Sequence, residues 1–132
     1  MTQRRLLQLI IAVLALVPIG AGLAGVLTGP AFLATTPPWS DDLDSHVRFL
    51  SGVFLVLGLA WWSCIPHIET KTERIRLLGA ATFVGGLARL YSLILVGAPT
   101  AGHLVGLGLE LVAVPLILLW HSRLSTEPRR EA

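Results

Sequence analysis

Apolar residues in this chain alternate at neither a strand's spacing of two nor a surface helix's spacing of 3.6. They run on in four long blocks, separated by short polar or proline-rich breaks. The first block, residues 6–27, carries no charge and is long enough for a hydrocarbon core, which takes about 20 helical residues. Pro18 should kink it. Ala21, Gly25 and Gly29 lie four apart, giving a face of small residues on which helices approach closely in lipid. Residues 28–43 read as a loop, because Thr35-Thr36-Pro37-Pro38-Trp39 cannot be helical throughout. Trp39 suits the headgroup layer. Ser40 is placed to cap the next helix, with Asp41 and Asp42 in its first turn, where the helix dipole favours anions.

The second block, residues 43–65, has Asp44, His46 and Arg48 in its first turns and no charge from Phe49 onward. Trp61 and Trp62 mark its other interface, and Pro66 ends it. In the polar loop that follows, Thr70 and Glu73 have capping-box spacing. The third block, residues 75–96, contains Arg89. A tight turn, Gly97-Ala98-Pro99-Thr100-Ala101-Gly102, leads to the fourth block, residues 103–121, which contains Glu110 and is bent at Pro115. Residues 122–132 are polar and expected to form a mobile tail. The pattern predicts an all-α fold: one domain, residues 1–132, forming an integral membrane up-down four-helix bundle.

Composition agrees. Hydrophobic residues make up 54% of the 132 and charged residues only 14%, with mean hydropathy +0.75. A soluble domain is nearer a quarter charged. The net charge of +2 does not mark a nucleic-acid protein, because the basic residues form no single patch. Arg4, Arg5, Lys71, Arg74, Arg76, Arg123, Arg129 and Arg130 flank the apolar blocks, and the other two flanks hold no basic residue. By the positive-inside rule the protein is expected in the cytoplasmic (inner) membrane, with both termini and the Lys71 loop cytoplasmic. Arg4 and Arg5 before an apolar stretch, with the small residues from Ala21 to Gly25 beyond it, also fit a signal peptide; the segment is read as the first span. A single cysteine, Cys64, excludes an internal disulfide and a thiolate metal cluster.

Candidate chemistry concentrates in one half of the membrane. Arg89 lies eight residues before Gly97 and Glu110 eight after Gly102, so both sit roughly 12 Å below the same face on antiparallel neighbours. Opposite charges at equal depth inside a membrane are expected to pair. Gly85, Gly86 and Gly106 leave room beside them for a long side chain or a ligand. The pair either fixes helix register or marks a binding site. Arg48 adds a second cation, though Asp44 is its partner at helical spacing. Two arginines facing one buried carboxylate would leave a positive excess for an anionic headgroup. The candidate ligand-binding set is Arg48, Arg89, Glu110, His103 and Tyr91. His46 and His103 near the same face admit a metal or haem only on a weak signal, so no cofactor is expected. His67 and His121 read as ordinary interface residues, and Cys64 as a small buried apolar one. The chain holds no phosphate loop, zinc-protease helix or nucleophile elbow.

The stretches from His46 to Leu59, from Phe83 to Leu93 and from Leu109 to Trp120 together resemble a bacterial family called domain of unknown function 4345, small proteins with four predicted spans. Arg48, Arg89 and Glu110 are the positions that carry the resemblance. It implies an architecture and no activity. The favoured expectation is therefore binding of a lipid or small amphipathic anion in a polar cavity of the outer half, with no catalysis assigned. One rival is a small isomerase-like lipid enzyme with Glu110 as acid/base and His103 or Tyr91 assisting. Another is an accessory subunit of a larger membrane complex, docking through the glycine face of the first span. A transporter would need a homo-oligomer. Expected partners are membrane lipids and a small anion, with a protein partner or second copy under the rival readings and no nucleic acid.

Overall fold

The computed structural model describes residues 2–126. The fold is all-α, with four helical stretches long and apolar enough to cross a membrane: Gln3–Leu33, Asp41–Trp62, Thr72–Val96 and Ala101–Leu124. Their bare surfaces carry large apolar side chains such as Leu27, Phe49, Leu77, Ile94 and Val96. That surface is stable facing lipid tails and not facing water. The chain divides into two compact units, Gln8–Pro66 and Met1–Leu7 with His67–Ala132.

In the first unit, helix α1 (Gln3–Thr28) continues through Pro18. A 3-10 turn follows at Gly29–Leu33, and helix α2 spans Asp41–Trp62. Ser40 caps α2 as its position predicts, accepting the Leu43 N–H at 3.2 Å. The two helices are antiparallel and very close. A β-carbon on Gly22 would lie 2.5 Å from the Leu55 backbone nitrogen, one on Gly25 would collide with Ser51, and one on Gly58 would lie 2.8 Å from the Ile19 nitrogen. The small face therefore runs through Gly22, Gly25 and Gly29, not through Ala21, which the four-residue count picks out. One residue's shift rotates a helix position by about 100°, and Gly22 rather than Ala21 is buried. This face is spent inside the hairpin, so it is not free for the docking that the accessory-subunit reading assigned to it.

In the second unit, a 3-10 turn at Ile68–Thr70 leads to α3 (Thr72–Val96), then α4 (Ala101–Gly108), a π-turn (Leu109–Ala113) and α5 (Val114–Thr126). The capping box at Thr70 and Glu73 does not form: Thr70 Oγ1 donates to the His67 carbonyl at 2.9 Å, and α3 starts at Thr72 with Lys71 before it, one residue later than the box requires. Ile68, Ile75, Leu78, Val114 and Ile117 are buried here. His121, expected at an interface, is buried at 3% exposure, with Nε2 2.9 Å from the Ile68 carbonyl. Helix α5 runs on past Ser122 to Thr126; the rest of the expected tail, residues 127–132, lies outside the described residues.

Candidate functional site

Arg48 shows what a satisfied arginine looks like in this protein. Its Nε donates to Asp44 Oδ2 at 2.7 Å and its Nη2 to Asp44 Oδ1 at 3.1 Å. Its Nη1 donates to the carbonyls of Val26 at 2.6 Å and Leu27 at 3.2 Å. Those carbonyls end α1, where a helix leaves its last acceptors unpaired and its dipole favours a cation. Gly29 makes the approach possible. Its φ of 59° is the left-handed conformation of a helix stop, and a β-carbon there would lie 2.6 Å from Asp44 Oδ1 and 2.9 Å from Arg48 Nη2. With four hydrogen bonds made to its own unit, Arg48 has little left to offer a ligand.

Arg89 on α3 meets Glu110 on the π-turn, the ion pair that equal depth predicts. The Arg89 Nε lies 3.1 Å from both Oε1 and Oε2 of Glu110. The glutamate is 8% exposed, while the arginine side chain keeps 36%. Gly86 provides the close approach, since a β-carbon there would lie 2.8 Å from Glu110 Cβ and from Leu111. The π-turn has a local cause. Pro115 lacks an N–H, and its ring would strike the carbonyl four residues earlier in a regular helix. Widening the preceding turn relieves that clash, and the Val114 N–H bonds to Leu109 O, five residues back. Glu110 rides on the widened turn.

Two features of this pair were not readable from spacing. Glu110 Oε2 is buried without a hydrogen-bond partner, and the Nη groups of Arg89 have none among the described residues. Arg89 lines a cleft of about 110 Å³ together with Ser92, Leu93, Pro99, His103 and Leu107. His103 Nδ1 lies 3.0 Å from Thr100 Oγ1, which leaves Nε2 as its available atom. Ser92, which helical spacing puts on the Arg89 face of its span, was not among the expected ligand-binding residues. The hydroxyls of Thr28, Ser63, Thr82 and Ser122 each donate to a carbonyl three or four residues earlier on their own helix. Ser92 makes no such bond and faces the same cleft as Arg89. Tyr91 is 65% exposed and not among the lining residues. No group of three or more His, Cys, Asp or Glu side chains able to hold a metal occurs among the described residues, so neither His46 nor His103 has companions for a closed metal site.

Four membrane-length helices with one charged pair carried between neighbouring spans define a multi-pass integral membrane protein of the four-helix class. The chain belongs to the family described as Domain of unknown function (DUF4345), whose family model matches residues 6–121. No curated protein matches the chain, and no solved structure does.

Proposed function

We propose that the protein binds an amphipathic anion, a lipid or fatty acid with a singly charged headgroup, in the cleft of Arg89, Ser92 and His103. The observation that carries this reading is the set of uncommitted polar groups on one cleft: the Arg89 Nη donors, the Ser92 hydroxyl and His103 Nε2. A guanidinium presents a planar fork that matches two oxygens of an acidic group. Leu93, Pro99 and Leu107 line the same cleft and offer an apolar wall to the start of a tail. The volume suits a headgroup; the rest of the ligand would lie along the bare apolar surface. Glu110 is the counter-charge of Arg89 in the unliganded protein and does not itself touch the ligand. Arg48 and Tyr91 are left out, the first because its donors are spent and the second because it does not line the cleft. The basic flanks support an inner-membrane protein with cytoplasmic termini, which opens the cleft toward the outer leaflet.

Titration of the detergent-purified chain with 1-octanesulfonate tests the reading. Binding is expected for octanesulfonate, weaker binding for methanesulfonate, which has no tail, and none for octanol, which has no charge. Arg89→Gln should abolish it, and Ser92→Ala should weaken it. Equal binding by the wild type and Arg89→Gln refutes the site. Mass spectrometry of co-purifying lipids distinguishes a membrane lipid from a free acid as the natural source, and labelling of Gly102→Cys by an impermeant reagent from outside the cell checks the orientation.

A further inference from the structure

We infer that anion binding in this cleft is coupled to uptake of one proton, and that Glu110 receives it. The inference rests on the binding reading above. In the unliganded protein one guanidinium balances one carboxylate, and the Arg89–Glu110 pair is neutral. An anion arriving at the Nη groups would leave one cation serving two anions inside an apolar span. A buried uncompensated charge is among the costliest arrangements a protein can hold. The surplus is removed if one of the two anions takes a proton.

Glu110 is built to be that one. Its Oε2 is buried and accepts no hydrogen bond, its contact with Arg89 Nε at 3.1 Å being an ion pair only, so a proton there weakens the ion pair but displaces no hydrogen bond. Its hold on Arg89 runs through Nε alone, so neither Nη group is tied to it. The π-turn fixes it at that depth. The titratable groups around it are few. Helix α3 contributes Arg89 and, two residues on, the exposed Tyr91. Helix α4 contributes His103, and α5 carries no titratable residue before His121. The reaction balances as written. The anion and a proton from water join the ion pair, and the products are the anion held by Arg89 and a neutral Glu110 carboxyl. His103 is the competing acceptor. It lies at the cleft with one ring nitrogen free.

Calorimetric titration of the full chain with 1-octanesulfonate separates these cases, because the probe stays ionised and carries no carboxyl group. Measured in two buffers of different protonation enthalpy, binding should take up about one proton, and affinity should fall about tenfold for each unit of pH rise while the free pair is ionised. In Glu110→Gln the proton uptake and the pH dependence should vanish while binding remains. In His103→Gln both should persist. Infrared difference spectra of the wild type should show a carboxylate band converting to a protonated carboxyl band on addition of octanesulfonate, a readout that holds even if Glu110→Gln fails to fold. Binding without proton uptake overturns this inference and leaves the binding reading intact. Proton uptake lost in His103→Gln and kept in Glu110→Gln also overturns it. No binding at all overturns both.

Discussion

Arg48 and Arg89 are both carried within membrane-length helices, and each lies about 3 Å from a carboxylate, yet the two hairpins use them oppositely. Arg48 is consumed. Its carboxylate sits four residues away on its own helix, and its remaining donors close the frayed end of α1. Arg89 finds its carboxylate 21 residues away, on the next helix, through one nitrogen, and the rest of its fork faces a cleft. A local partner lets an arginine be saturated by secondary structure it already belongs to. A distant partner fixes helix register and leaves donors over. What marks a binding arginine here is therefore the inventory of unspent N–H groups more than the presence of charge in the membrane.

The largest effect should come from breaking the distant pair. Glu110→Gln and Arg89→Gln should each lower unfolding stability in detergent by about 3 kcal/mol, the low end for a buried pair because the arginine keeps some exposure. The double variant should lose clearly less than the sum of the two. Strict additivity in that cycle would show that the residues do not interact and would erase the contrast between the hairpins.

Next in size are tests of the hairpin that has no ligand role. Gly22→Ala pushes a methyl group into the Leu55 backbone and should cost about 1–3 kcal/mol, whereas Gly85→Ala meets open space and should be close to neutral. Arg48→Gln should lower the melting temperature and speed hydrogen exchange at the end of α1, yet leave octanesulfonate affinity unchanged. A lost affinity in Arg48→Gln would bring that residue back into the site and break the division of labour argued above.

The four spans, the Ser40 cap and the two ion pairs were legible because each follows from a one-dimensional rule: block length, a preferred residue before a helix, a spacing of four, equal depth across a tight turn. What the sequence hid depends on how helices meet. Arg48 reaching the carbonyls of Val26 and Leu27 requires α1 to end beside it, and the only trace in the chain is Gly29 just past that end. The exact small face of α1 was missed by one residue, since a period of four drifts off a helix that turns every 3.6. The capping box at Thr70 and Glu73 failed because a 3-10 turn captured Thr70 first. Ser92 looked like any helical serine until its missing carbonyl bond set it apart. Pro115 foretold a bend, but not that the distortion would be a widened turn bearing Glu110.

That widened turn supports the smallest effect on stability and the sharpest test of how the distant pair is positioned. Pro115→Ala restores an N–H and removes the ring that a regular helix cannot accommodate. The turn at Leu109–Ala113 should then relax toward α geometry. Relaxation has two opposing consequences. The helix regains a hydrogen bond, worth about 1 kcal/mol. Narrowing the turn also shifts Glu110 relative to α5 and weakens its grip on Arg89 without breaking it. The two changes offset, so net stability should move by less than about 1 kcal/mol. The coupling energy between Arg89 and Glu110, measured by repeating the double-mutant cycle in the Pro115→Ala background, should nevertheless fall. An unchanged coupling energy would mean that the close approach at Gly86, rather than the π-turn, holds Glu110 against Arg89.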